Sequence, residues 1–362
     1  MTTTPAQDDS SLVVNRIRAS GPSEILQAVP YVIGFHPQQS LVLLGLTPPR
    51  GRLRVSARLD LDVPVKVAAD LASPWFDGAV RSGVDRYVVV IYDDAIDGKP
   101  LPYGELVDAL EVLGDEAALS FVDALAVGDG RWWSYKCSNQ RCCPDEGQPL
   151  DAHGPIAAQA VTLGMVAAPG REALTAELEP EDERVDEVVQ ALAAMSGRQI
   201  ETAAGKRMPL NRRQLVTAIK HLEWLLERFQ LTQTPCEPHQ AVRALLALTN
   251  LVVRDAMIAT IPLKDDLLPL MFWRDLCRRA PDELVAAPAT LFALCAYGRG
   301  EGARANIGIE RALEADPEYR MAHLLDSAMA GGLAPHLFIP DIVEGARVER
   351  DGLVRKPRRK SA

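Results

Sequence analysis

The segment from Arg131 to Leu150, RWWSYKCSNQRCCPDEGQPL, concentrates side chains that could do chemistry. Cys137, the vicinal pair Cys142 and Cys143, and His153 offer three sulfurs and one imidazole, donors enough for a tetrahedral zinc site. The spacing Cys-x4-Cys-Cys departs from the usual Cys-x2-Cys knuckle, and adjacent residues seldom ligate one ion together. A reversible bridge from Cys137 to Cys142 or Cys143 is a second chemistry. A third role is packing, with Cys142 and Cys143 holding a turn-rich loop against Trp132 or Trp133. Packing is the expected outcome, and no cofactor is expected with it.

Other candidates stand at the ends of predicted strands. His36, in Gly34-Phe35-His36-Pro37, could bind, shuttle a proton or cap, although a lone loop histidine is more often structural. Asp93 and Asp94 follow the apolar run Arg86–Tyr92 at its carboxyl end, where open α/β sheets place ligands. Two carboxylates there could hold a cation or act as acid and base. Arg131, Ser134 and Tyr135 lie on or just past a further strand, with Arg131, Trp133 and Tyr135 on one face and Trp132, Ser134 and Lys136 on the other. The catalytic candidates are therefore His36, Asp93, Asp94, Arg131, Ser134 and Tyr135. Arg58 and Asp60 share one strand face and are expected to form a simple ion pair. The chain has no phosphate-cradling Gly-x4-Gly-Lys-Ser/Thr loop, no His-Glu-x-x-His and no Gly-x-Ser-x-Gly.

These residues need a scaffold, and the first half supplies alternating strand and helix signals. Pro22 opens a helix through Ile25, Leu26 and Val29. Ser40–Leu46 reads as a buried strand, paired as a hairpin with the alternating run Leu53–Leu61. Pro64 starts a helix that Pro74 should break or kink. Arg86–Tyr92 is too apolar and β-branched for an exposed strand and is placed centrally. Tyr103, Leu106, Val107 and Leu110 mark the next helix, and Gly128-Asp129-Gly130 joins two strands as a hairpin. The fold class is α/β, a mixed sheet with helices over residues 10–170, followed by an α-helical domain over 180–340.

The acidic stretch Glu177–Glu183 around Pro180 is expected to be a solvated boundary between the two. Beyond it Asn211 caps a helix carrying Leu215, Ile219, Leu222, Leu226 and Phe229. Val242, Leu245, Leu246, Thr249 and Val252 continue one period after Pro238, and further helices are predicted over 265–279, 288–297, 302–314 and 318–330. Ala305, Ile309, Ala312 and Pro317 fall at the spacing of the second helix and closing proline of a tetratricopeptide repeat, but without a second copy. Residues 345–362 end in Arg355, Lys356, Arg358, Arg359 and Lys360 and read as a disordered basic tail.

Composition limits the partners. The 362 residues hold 39 Lys and Arg against 49 Asp and Glu, a net charge of −10. Such a chain is a poor general ligand for nucleic acid or an anionic membrane, so nucleic-acid contact is confined to the basic tail. No apolar stretch approaches the ~18 residues of a membrane span, and the start is too polar for a secretory signal, so a reduced, cytoplasmic protein is expected.

Three stretches stand out together: Val29–Pro37 with Ser40-Leu41-Val42, then Ala57-Arg58-Leu59-Asp60, then Arg131–Tyr135 with Cys137, Cys142-Cys143-Pro144 and Gly147. In these the chain resembles the uncharacterised, mainly actinobacterial domain-of-unknown-function family numbered 4192. The likeness covers roughly residues 20 to 335 and implies no activity. The expected function is non-catalytic binding or regulation through a protein partner on the C-terminal helices. The alternative is an enzyme or small-ligand-binding protein with a site between Gly34–Ser40, Asp93–Asp94 and Arg131–Cys143.

Overall fold

The computed structural model describes residues 19, 21–48, 51–151, 154–195, 210–263 and 266–355. The described residues divide into two compact units, those within 1–72 and 84–170 and those within 73–83 and 171–362.

The first unit is built on one mixed six-stranded sheet. Its strands are β1 (Ser40–Thr47), β2 (Arg52–Asp60), β3 (Arg86–Tyr92), β4 (Ser120–Gly128), β5 (Arg131–Ser134) and β6 (Gln148–Pro149), in the spatial order β2-β1-β3-β4-β5-β6. Only β3 and β4 run parallel; the other neighbours are antiparallel. The single parallel step follows from the crossover helix between them, since parallel strands cannot be joined by a tight turn. Chain composition explains the order. β3 is buried from Tyr87 to Tyr92 and β1 from Ser40 to Gly45, so both take interior places. β2 alternates charge with apolar residues and forms the edge. The helices of this half are α1 (Pro22–Ile33), α2 (Val65–Arg81), α3 (Gly104–Glu116) and α4 (Pro155–Thr162).

Of the break or kink expected at Pro74, the break does not occur: α2 continues through Pro74 to Arg81. Its second half, within Ser73–Gly83, belongs to the helical unit and not to the α/β unit. The reason is a close backbone approach: a β-carbon on Gly78 would lie 2.6 Å from Gly332 Cα.

The second unit is helical. It comprises α5 (Arg171–Thr175), α6 (Asp182–Ala193), α7 (Arg212–Thr232), α8 (Pro238–Leu248), α9 (Leu251–Ile258), α10 (Leu268–Arg279), α11 (Asp282–Gly298), α12 (Gly302–Ala315), α13 (Arg320–Ala330), a 3-10 turn at Pro335–Leu337 and α14 (Ile339–Val354). α11 is apolar on all sides and buried from Leu284 to Tyr297, as a helix hydrophobic all round must be. It begins at Asp282, six residues before the predicted start, with Pro288 inside it. α12 forms a helix pair with α11 and buries Ala305, Ile309 and Ala312, so the repeat-like spacing is the packing face of this pair. Asn211 caps α7 as expected, accepting from Gln214 N–H at 3.1 Å while the Gln214 side chain accepts from Asn211 N–H at 2.9 Å. The period predicted to run through Thr249 to Val252 is broken, because Asn250 accepts from Val252 N–H at 3.0 Å and caps a new helix, α9.

The acidic stretch is not simply solvated. The Glu177 carboxylate takes two hydrogen bonds from Arg304, each 2.9 Å, and Glu181 pairs with Arg278 at 2.9 Å. The predicted tail is also shorter than 345–362. α14 continues to Val354, buries Val343 and Ala346, and places Arg350 3.3 Å from Glu223 on α7. Apolar residues three apart on a helix turn one face inward, which the basic composition beyond them obscures. Residues 356–362 lie outside the described residues. No helix among the described residues is long and apolar enough to cross a membrane.

Candidate functional site

The carboxyl ends of β3 and β4 lie at the same sheet edge as the start of β1, because β1 runs antiparallel to β3 with Ser40 opposite Tyr92. Asp93 leaves β3 at this edge and is 7% exposed. Its Oδ1 accepts from the Gln39 amide at 2.6 Å and from Ala95 N–H at 2.9 Å, and its Oδ2 accepts from the Tyr103 hydroxyl at 2.7 Å. Burial pushes the Asp93 carboxyl up, but the bonds from Ala95, Tyr103 and Gln39 outweigh it and hold the group below the usual carboxylate range. Burial and the Asp93 charge together push the Tyr103 hydroxyl up to about 12. Gln39 and Tyr103 both have left-handed backbones, with φ of 43° and 62°. A non-glycine residue held there costs of order 1–3 kcal/mol, which the surrounding contacts must offset.

The first two family-like stretches meet at the start of β1. The Arg58 guanidinium donates to Ser40 Oγ at 2.8 Å, pairs with Asp60 at 2.6 Å and lies 5.8 Å from the centre of the Phe35 ring. The expected Arg58–Asp60 pair is thus present, and Arg58 also fastens β2 to Ser40 at the start of β1.

The third stretch is fastened to the loop after β3. Tyr135 donates its hydroxyl to the Pro102 carbonyl at 2.7 Å. Burial, then Tyr103 and the Asp93 charge, push the Tyr135 hydroxyl up. Ser134 Oγ donates to Asp123 at 2.8 Å and accepts from Lys136 N–H and Cys137 N–H, each at 3.2 Å. Burial raises the Asp123 carboxyl, against the Ser134 bond that lowers it. Arg131 donates to the carbonyls of Glu146, at 3.3 Å, and Gly147, at 2.9 Å. Trp133 is fully buried and donates Nε1–H to the Asp145 carbonyl at 3.0 Å.

Inside this segment the three sulfurs of Cys137, Cys142 and Cys143 lie within 4.8 Å of one another. Cys142 N–H and Cys143 N–H both donate to the Asn139 carbonyl, at 3.0 and 2.7 Å. Lys99 Nζ donates to the carbonyls of Cys137 and Cys143, at 3.2 and 3.3 Å. A hydrogen bond from the Cys143 thiol lowers the pKa of Cys137, whereas burial pushes Cys143 up to about 12. Cys143 is buried and Cys142 is exposed. Asp145 and Gly147 of the same loop lie against Trp133.

A family model described as a domain of unknown function, DUF4192, matches residues 22–336. The chain belongs to the DUF4192 family. The matched span starts at the first residue of α1 and takes in the Asp93 edge, the cysteine loop and the helices through α13. No curated protein and no solved structure matches the chain.

Of the predicted site residues in this DUF4192 chain, Asp93 and Tyr135 come into one neighbourhood and Cys137, Cys142 and Cys143 into another. Among the described residues, the Asp93 carboxylate is bonded by Gln39, Ala95 and Tyr103, and not by His36, Asp94 or Arg131. His36 and Asp94 are exposed, and the His36 backbone N–H donates to Ala168 at 2.9 Å. His153 lies outside the described residues. Sequence reasoning missed Gln39, Lys99, Tyr103 and Asp123. Tyr103 reads as the apolar start of a helix, and only its position just before Gly104 hints at a special backbone.

Proposed function

We propose that this DUF4192 chain is a non-catalytic binding protein that engages a protein partner through the exposed face of α7. The observation that carries this is Trp224, 47% exposed, with Leu231, 80% exposed, two turns along the same face. Trp224 is held in place from its own helix. His221 stacks on it with ring centres 6.1 Å apart, and the Arg228 guanidinium lies 5.9 Å from its ring centre. An exposed, pre-ordered tryptophan is the type of side chain that anchors interfaces.

The candidate catalytic groups support the same reading by what they are already doing. Tyr135 and Arg131 donate to backbone carbonyls, and Asp93 accepts three hydrogen bonds. A carboxylate held below its usual pKa is a weak general base near neutrality. In the full chain, Trp224→Ala is expected to cut recovery of a co-purifying protein at least tenfold. Unchanged recovery with Trp224→Ala and Leu231→Ser combined would refute the proposal.

A second reading, a small polar ligand at the Asp93 edge, is favoured by the left-handed backbones of Gln39 and Tyr103. Native mass spectrometry of the purified chain decides it, by a bound mass that is lost in Tyr103→Phe.

A further inference from the structure

We propose that Cys137, Cys142 and Cys143 form a three-thiolate site for a soft divalent metal ion, zinc by first preference. Zinc–sulfur bonds of ~2.3 Å in a tetrahedron set sulfurs about 3.8 Å apart. The three sulfurs here already lie within 4.8 Å of one another, so small side-chain rotations complete the contact. Among the described residues this is the one group of three or more potential ligands gathered in this way.

The backbone explains how adjacent cysteines share one ion. On a strand, neighbouring side chains point to opposite faces. Cys142 and Cys143 instead follow a turn in which both N–H groups donate to Asn139, while Arg141 N–H donates to Asn139 Oδ1 at 3.0 Å. In a helical turn consecutive side chains diverge by only about 100°, so both sulfurs can face Cys137. Cys137 is set by its own N–H on Ser134 Oγ, and Cys142 by its carbonyl, which accepts from the Gln148 amide at 2.9 Å. None of these restraints uses a sulfur, so the site is shaped before any ion arrives.

Charge agrees with the geometry. Binding forms three metal–sulfur bonds and releases three thiol protons to solvent, leaving a divalent ion with three thiolates at a net charge of −1. Lys99 supplies the compensating positive charge from its place on the Cys137 and Cys143 carbonyls. A disulfide would use two sulfurs and leave the third with no role. Three ligands also leave one tetrahedral position, on the exposed Cys142 side, for water or an exogenous group.

The test uses the full chain, reduced and free of chelator. Titration with zinc against a chromophoric chelator should give one tightly held ion per chain. Cobalt in its place should give a tetrahedral spectrum with the charge-transfer intensity of three thiolates, a measurement that needs no variant. Cys142→Ser, an exposed position that does not threaten folding, should weaken zinc at least tenfold, and Cys295→Ala in the helical unit should leave it unchanged. Absence of a stoichiometric ion, a cobalt spectrum without thiolate bands, or equal affinity in Cys142→Ser would each overturn the proposal. So would a reduced chain that takes no metal but loses two hydrogens in mass on mild oxidation, which would assign the cluster to redox chemistry.

Discussion

Gly147 lies so close to Trp133 that a β-carbon on it would fall 2.4 Å from Trp133 Cε2. Its φ of 76° is also one that L side chains avoid. Gly147→Ala should therefore behave as a core mutation although it sits in a loop. Strained backbone and overpacking together should cost about 2–4 kcal/mol by urea unfolding. Gly130→Ala separates the two causes. Gly130 has φ of 71° but nothing within 4 Å of its β-carbon position, so it should lose only about 1 kcal/mol. Equal losses in the two variants would rule out the Trp133 contact as the cause.

Asp93 makes stability depend on acid. Its folded pKa is depressed below the unfolded value of about 3.9, so its contribution is present above pH ~4 and is lost as pH falls through the folded value. Asp93→Asn should cost about 2–3 kcal/mol near neutrality, the scale of hydrogen bonds to a charged group. The gap between wild type and variant should close as pH falls below ~4. Asp94→Asn, at an exposed neighbour, should stay within about 0.5 kcal/mol across the range. A gap for Asp93→Asn that is independent of pH would show that shape, not charge, is what the site needs.

The C-terminal helix should be needed for stability to Val354 and not beyond. A chain ending at Glu344 loses buried Ala346, the Arg350–Glu223 pair and the bond from Arg212 to the Leu353 carbonyl at 3.0 Å. Its Tm should fall by at least about 4 °C, corresponding to roughly 1–2 kcal/mol at this size. A chain ending at Lys356 should melt within about 1 °C of the full protein. Equal melting of both truncations would mean that α14 contributes nothing to the helical unit.

Much of the architecture is legible in single stretches of sequence. The run RYVVVIY marks a buried strand, Gly128-Asp129-Gly130 marks a hairpin, and Asn211 with Gln214 marks a helix start, each because the signal and its consequence are local. The same locality explains the errors. Pro74 reads as a break or kink and Pro288 as a helix start, yet α2 and α11 both run through their prolines. The basic residues after Arg355 conceal a helix whose inward face, Val343 and Ala346, lies just before them.

What the sequence by itself determined is therefore the order and type of most elements, the mixed sheet followed by helices, and the residues of the cysteine segment. Only the tertiary structure decided which groups meet. Gln39 and Tyr103 reach Asp93 from 54 and 10 residues away, and both do so from left-handed backbones that no residue type announces. Cys142 and Cys143 face Cys137 because a turn on Asn139 replaces the alternation of a strand. The physical reason is range. Hydrophobic period and capping are set by neighbours within a few residues, whereas the positions of buried polar groups are set by strand pairing and loop closure across the chain.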